Sequence, residues 1–102
     1  MSAILPNLDH FIYTDYQHFY EPAEDTYLLC DALLLDLIDL NNDYSYNCLE
    51  VGCGSGTVIT YLGTLFHEKY DNNCVLMATD INMRAAQATK LTAKSNNVSN
   101  RY

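Results

Sequence analysis

Three glycines at alternating positions, with a carboxylate on either side, form the group of residues whose spacing could do chemistry. The glycines are Gly52, Gly54 and Gly56; Glu50 precedes them and Asp80 ends the next apolar run. Because glycine has no Cβ atom, such a loop lets a ligand approach the backbone closely. A carboxylate at the tip of the following strand can accept hydrogen bonds from both hydroxyls of a ribose. The pattern predicts a binding site for a nucleoside.

The spacing of the loop weakens, without excluding, its interpretation as a dinucleotide site. A dinucleotide fingerprint needs a third small residue at position 57, which Thr57 occupies. A dinucleotide-dependent oxidoreductase half-domain therefore stays as an alternative. Cys53 has no identifiable His or Lys base, which favours a small residue that fits the loop over a nucleophile.

Predicted helices and strands alternate around these residues. Apolar residues at helical spacing predict helices over 22–40, 57–67 and 83–94, and apolar runs predict strands over 48–51 and 74–78. Pro22 is expected in the first helical turn, and the second strand is expected to be buried. The alternation indicates an α/β fold, with an open, mostly parallel sheet and flanking helices. In such a sheet the glycine loop lies at the carboxyl end of a strand, where ligands bind.

Composition allows one small domain with an acidic surface. The 102 residues are 49% apolar, and five Lys and Arg stand against thirteen Asp and Glu, for a formal net charge of −8. This charge repels nucleic acid and anionic membranes, so direct binding of either is not expected. We divide the chain into an N-terminal segment, 1–20, and a domain, 21–102. Aromatic residues are expected to pack the segment onto the domain, and these are Phe11, Tyr13, Tyr16, Phe19 and Tyr20.

Neither a metal site nor a disulfide framework is predicted. The cysteines lack CxxC spacing and are interpreted as reduced, buried thiols of a cytosolic protein: Cys30, Cys48, Cys53 and Cys74. The histidines His10, His18 and His67 have no partner ligand at helical spacing. The first residues lack the basic and apolar regions of a signal peptide, and no stretch reaches the ~20 apolar residues of a membrane span. We therefore expect a cytoplasmic protein, with the nucleus as a second location.

Three blocks of sequence resemble a known family. The spacing Glu-x-Gly-x-Gly-x-Gly, from Glu50 to Gly56, looks like motif I of class I S-adenosylmethionine-dependent methyltransferases. YEPAEDT at 20–26 and TDIN at 79–82 are similar to the HemK-type glutamine methyltransferases, specifically to their eukaryotic release-factor branch. The resemblance covers about residues 19 to 98. It implies a Rossmann-like class I methyltransferase fold, of which this chain would hold the N-terminal half.

The resemblance also implies a cofactor, a reaction and a partner. The cofactor is S-adenosylmethionine, and the reaction is N5-methylation of the glutamine in the Gly-Gly-Gln loop of the translation termination factor. Activities on histone lysine and DNA adenine are also ascribed to the family, whose members form heterodimers with a small zinc-containing activator subunit. Glu50 would face the cationic side of the cofactor, and Asp80 its ribose. The expected cofactor-binding residues are Thr26, Glu50, Gly52, Cys53, Gly54, Gly56, Asp80 and Ile81.

One motif of the family is missing from the sequence. An Asn-Pro-Pro-Tyr segment is absent, since Pro6 and Pro22 are the only prolines. In the family this segment supplies acceptors that hold the N–H groups of the amide to be methylated. We therefore assign no catalytic residue, and expect a chain cut short before the motif that binds cofactor at most and is inactive alone. A non-catalytic truncated paralogue that serves as a binding module stays as an alternative.

Overall fold

Helices and strands alternate along the chain in the predicted order. The computed structural model describes residues 5–37, 46–69 and 74–98. A 3-10 turn, Tyr13–Gln17, precedes α1 (Glu24–Asp36), β1 (Tyr46–Val51), α2 (Thr57–Lys69), β2 (Cys74–Thr79) and α3 (Met83–Ser95). The α/β class predicted from the sequence is confirmed.

The two strands are parallel neighbours, joined by α2. Tyr46 lies opposite Cys74 at one end of the ladder, and Val51 lies opposite Thr79 at the other. Beyond this second end the amide of Gly52 donates to the carbonyl of Thr79 over 2.7 Å. The carboxyl ends of both strands therefore meet at one edge of the sheet, and the glycine loop begins there.

The core lies between the sheet and α2. Ile59, Leu62 and Phe66 on α2 surround Leu76 of β2, and all four side chains are buried. A second cluster joins α2 to α1 through Cys30, Tyr61 and Leu65. Burial of these side chains, at about 25 cal/mol for each Å² of apolar surface, is what holds the helices to the sheet.

The described helices pack on one face of the sheet and leave the other face open. β2 was expected to be buried, but Leu76 is its one buried residue, while Val75 and Met77 are 49% and 46% exposed. On β1, Leu49 and Val51 are exposed on the same side. The expectation was wrong for this face because alternate strand residues point to opposite sides and the helices described here cover only one.

The first helix begins later than predicted. Pro22 was expected in its first turn, but Ala23 is the N-cap and the helix starts at Glu24. The amide of Ala23 donates to Thr26 Oγ1 over 3.3 Å, so a side chain three residues on satisfies the cap. α1 ends at Asp36; of the predicted extension to residue 40, positions 38–40 lie outside the described residues.

The buried face of α1 is narrower than the apolar face that the sequence pattern predicts. Cys30 is its buried residue, and Leu33, Leu34 and Leu37 are half-buried, but Leu29 is 47% exposed. α1 packs on α2 through the cluster of Cys30, Tyr61 and Leu65.

Residues 5–20 run along α3 from its last turn to its first; we name them the N-terminal strap. Asn96 Nδ2 donates to the carbonyl of Asn7 over 2.9 Å at one end, and Asn82 Nδ2 donates to the carbonyl of His18 at the other. His10 Nε2 and Thr92 Oγ1 are 3.0 Å apart between them. The sequence predicted neither this course nor the 3-10 turn within it.

Three of the five aromatic residues of the strap pack against one another within the strap. Phe11, Tyr16 and Phe19 form a cluster with ring centroids 5.1 to 5.8 Å apart, a spacing typical of favourable ring pairs. Tyr13 and Tyr20 are instead 83% and 70% exposed.

Other features of the described residues bear on the sequence predictions. Cys30 and Cys53 are buried as expected, whereas Cys48 and Cys74 are half-buried. Within the described ranges, no helix combines the length and the apolar character needed to cross a bilayer. In the same part of the chain, no three His, Cys, Asp or Glu side chains are grouped so that they could hold a metal ion.

Candidate functional site

The loop between β1 and α2 has a backbone that only glycines adopt readily. Gly52, Gly54 and Gly56 have φ angles of +79°, +56° and +86°, in the left-handed region that side chains disfavour. The amide of Gly56 donates to the carbonyl of Cys53 over 2.9 Å, which closes the turn. Glycines at alternate positions thus allow a positive φ angle at three of the five loop residues.

The loop is pressed against α3. A Cβ atom at Gly56 would lie 2.6 Å from Thr89 Cα, so a larger residue cannot fit there without moving the helix. Two threonines of α3 bind loop carbonyls, with Thr89 Oγ1 donating to Gly54 O over 3.2 Å and Thr92 Oγ1 to Ser55 O over 2.7 Å. These contacts leave the opposite side of the loop to face a cavity.

That cavity, of about 220 Å³, lies between the loop and the start of α1. Five of the eight predicted cofactor-binding residues line it, namely Thr26, Glu50, Gly52, Cys53 and Gly54. The block at 20–26 and the glycine loop, which are distant in sequence, therefore share one site. We name this space the loop cavity.

Glu50 places a buried carboxyl at the loop cavity. Its Oε1 atom is buried and has no hydrogen-bond partner among the described residues. Burial raises the pKa of Glu50 to about 7; a hydrogen bond from the backbone of Ile59 opposes this rise and the nearby Asp80 adds to it. A buried carboxyl oxygen without a partner is costly, and a cationic ligand would offset that cost.

Asp80 is held in the opposite way. Its Oδ2 atom accepts from the amide of Gly54 over 3.0 Å, and its Oδ1 atom accepts from the amide of Asn82 over 2.9 Å. These two backbone donors lower the pKa of Asp80. The side chain is therefore an ionised carboxylate in a fixed orientation at the tip of β2, next to the loop rather than in the lining of the loop cavity.

The remaining predicted residues lie outside the loop cavity. Gly56 contacts α3, as described, and the side chain of Ile81 is fully exposed beyond the end of β2. Cys53 also lines a second cavity, of about 330 Å³, beside Ala78 and α3. Burial raises the pKa of the Cys53 thiol, which keeps it protonated and fits its interpretation as a small loop residue.

Seven residues that line the loop cavity were not among the cofactor-binding residues expected from the sequence. They are Tyr20, Pro22, Asp25, Leu29, Ser55, Thr57 and Val58. For those in the block at 20–26 the family resemblance was the available signal. Thr57 was considered only as an obstacle to the dinucleotide pattern, yet its Oγ1 atom lies 2.7 Å from Ser55 Oγ and steadies the loop.

Parallel strands, helices packed against them and a glycine loop at the carboxyl end define a Rossmann-like fold. No protein-family model matches the chain. Methyltransferase HEMK2 of Mus musculus is 42% identical over 83 residues, which are 81% of this chain and 36% of that protein. The eRF1 methyltransferase catalytic subunit mtq2 of Schizosaccharomyces pombe is 38% identical over 87 residues, 80% of this chain and 36% of that protein.

A methyltransferase of another kind matches a shorter stretch. Ribosomal RNA small subunit methyltransferase C of Buchnera aphidicola is 46% identical over 50 residues, 49% of this chain and 14% of that protein. Over about four fifths of its length the chain is homologous to the HemK-type methyltransferases, which confirms the resemblance seen in the sequence. The chain spans about a third of the length of these HemK-type relatives.

Proposed function

We propose that this chain binds S-adenosylmethionine in the loop cavity and so provides the methyl-donor site of a protein methyltransferase. The observation that carries the proposal is the buried Oε1 atom of Glu50, which has no partner among the described residues and belongs to a side chain that lines the loop cavity. S-adenosylmethionine has a cationic sulfonium and an ammonium group, and either would compensate an ionised Glu50.

The second support is the free acceptor capacity of Asp80. Each of its carboxylate oxygens accepts one backbone amide, and a carboxylate oxygen has room for a second donor. Two ribose hydroxyls could therefore bind without displacing the bonds that orient the side chain. The nucleoside would then extend from the loop cavity across Gly54 to the tip of β2.

A dinucleotide fits the same residues less well. Its pyrophosphate is anionic, and it would meet the carboxyl of Glu50 at the loop cavity. Like charges in a half-buried site repel, whereas the groups of the sulfonium cofactor are attracted. The carboxyl of Glu50 is therefore the feature that separates the two alternatives.

The shared relatives indicate which step this part of the chain serves. One relative is named for eRF1 and another for ribosomal RNA, yet both match this chain. What two such reactions have in common is the methyl donor rather than the acceptor. The similarity therefore supports a donor site, while the acceptor is chosen by residues that differ between the two enzymes.

For the acceptor we propose the glutamine amide nitrogen of the Gly-Gly-Gln loop in the translation termination factor. The relative named for eRF1 matches 80% of this chain, and the net charge of −8 favours a protein acceptor over RNA. Histone lysine is the second protein acceptor that the family suggests. The small zinc-containing activator subunit is the partner we propose.

Calorimetry with S-adenosylhomocysteine, the demethylated cofactor, tests the proposal. Asp80→Ala should weaken binding by about tenfold to a hundredfold, because it removes charged hydrogen bonds worth about 1.5 to 3 kcal/mol. Asp80→Asn keeps one acceptor oxygen, and its affinity should lie between that of the unchanged protein and that of Asp80→Ala. The matched control is Asp31→Ala on the exposed side of α1, which should bind as the unchanged protein does.

Two results would overturn the proposal. One is unchanged affinity in Asp80→Ala, and the other is tighter binding of NADH than of S-adenosylhomocysteine by the unchanged protein. The second result would favour the oxidoreductase alternative.

A further inference from the structure

We infer that Asn82 is a positioning residue that ties the N-terminal strap to the acidic tip of β2 and so fixes both walls of the loop cavity. The inference rests on the proposed function, since it concerns the same site. Asn82 was noted in the sequence only as part of the block at 79–82.

Besides the two bonds that its carbonyl accepts from Ala85 and Ala86 in the first turn of α3, Asn82 makes three further hydrogen bonds. Its backbone amide donates to Asp80 Oδ1 over 2.9 Å, and its Oδ1 atom accepts from the amide of Arg84 over 3.0 Å as the N-cap of α3. Its Nδ2 atom donates to the carbonyl of His18 in the strap. One residue therefore joins the helix start, the carboxylate and the strap.

The His18 contact fixes where the chain enters the loop cavity. Tyr20, only two residues later, lines that cavity, and Pro22, Asp25 and Thr26 follow it along the same wall. The two walls of the site are thus linked through one residue. Its backbone amide binds Asp80 and so the loop wall, and its side chain binds the carbonyl of His18 and so the wall built by residues 20–26.

The strap has a second anchor that does not touch the site. Asn96, at the other end of α3, exchanges two hydrogen bonds with Asn7, of 2.8 and 2.9 Å. Neither residue lines the loop cavity. The two ends of the strap therefore provide a matched pair: one tie adjoins the site and the other is remote from it.

Capping and tying can be separated by the choice of substitution. Asn82→Ser keeps a good N-cap oxygen but cannot reach the carbonyl of His18, whereas Asn82→Ala loses both functions. If Asn82 were only a helix cap, Asn82→Ser would behave as the unchanged protein. If it positions the walls, Asn82→Ser and Asn82→Ala should both lose about threefold to tenfold in affinity for S-adenosylhomocysteine.

Amide hydrogen exchange gives a readout that a role in capping α3 alone would not change. Without ligand, residues 19–26 should exchange faster in Asn82→Ser than in the unchanged protein, because their anchor is gone. Asn96→Ala, which removes the remote tie, should leave both exchange at 19–26 and affinity unchanged. Unchanged affinity or unchanged exchange in Asn82→Ser would overturn the inference. If the unchanged protein itself binds no S-adenosylhomocysteine, the proposed function fails first and the inference falls with it.

Discussion

Glu50 and Asp80 lie near the ends of neighbouring parallel strands, yet their surroundings shift their pKa values in opposite directions. Two backbone amides stabilise the charged form of Asp80, so its pKa lies below the ordinary value. Glu50 is half-buried, with one buried oxygen that has no partner among the described residues, and this burial raises its pKa to about 7. A fixed anion beside a carboxyl that becomes charged when a cation arrives suits a ligand with a ribose and a positive group.

The raised pKa of Glu50 makes stability depend on pH. A group whose pKa is higher in the folded than in the unfolded state stabilises the fold fully when the pH is below its unfolded pKa, here near 4.5. This stabilisation is lost as the pH rises through the folded pKa of about 7. Between pH 5.5 and pH 8 the free energy of unfolding should fall by about 1 to 2 kcal/mol relative to that of Glu50→Gln. The fall is smaller than the pKa shift alone would give, because solvent partly screens the carboxyl. Urea unfolding at both pH values measures this, with the exposed Glu24→Gln as control. Equal differences at pH 5.5 and pH 8 would contradict the buried carboxyl.

At the level of elements, the contact between the glycine loop and α3 keeps the site in shape. The loop gives two carbonyls to threonines of α3, and the absence of a side chain at Gly56 lets the two backbones touch. A buried carbonyl that loses its donor costs about 1 to 3 kcal/mol, so these bonds resist any separation of loop and helix.

Gly56→Ala should therefore be much more damaging than Gly54→Ala. Both residues have positive φ, which costs an alanine about 1 to 2 kcal/mol. Only at Gly56 would the new Cβ meet helix backbone, at 2.6 Å, whereas space is open at Gly54. We expect a loss of about 3 kcal/mol or more at Gly56 and about 1 kcal/mol at Gly54, measured by urea unfolding. Equal losses would show that the loop does not press on α3.

Sequence periodicity predicted the elements well and their surroundings less well. α2 and α3 begin at Thr57 and Met83, where their patterns place them. The course of the strap could not be predicted, since its contacts with α3 join residues 64 to 89 positions apart and leave no local pattern. The same holds for Thr89 and Thr92, whose hydroxyls reach loop carbonyls more than 30 residues away.

At the scale of the whole molecule, the described elements place the proposed donor site at the carboxyl edge of a two-stranded sheet. Leu49, Val51, Val75 and Met77 form an exposed apolar row on the other side. The one buried strand residue, Leu76, lies on the helix-covered side, where it packs against α2.

The 102-residue chain should bind the donor without transferring its methyl group. An amide nitrogen is a weak nucleophile, and it must be held about 3 to 3.5 Å from the methyl carbon by acceptors on its N–H groups. The Asn-Pro-Pro-Tyr segment that provides them in the family is not in this sequence. Incubation with radiolabelled S-adenosylmethionine and a termination-factor domain should give no methylation above the blank. Labelled termination factor would refute this expectation.

Nuclear magnetic resonance of the ¹⁵N-labelled protein, titrated with S-adenosylhomocysteine, tests most directly where the cofactor binds. The amide signals of Gly52 and Gly54 should shift in proportion to occupancy, together with Thr26 on the facing wall. Val98, buried beyond the end of α3 and absent from the lining of the loop cavity, should not move. Shifts confined to the cavity beside Ala78, or no shifts at all, would contradict a donor site at the glycine loop.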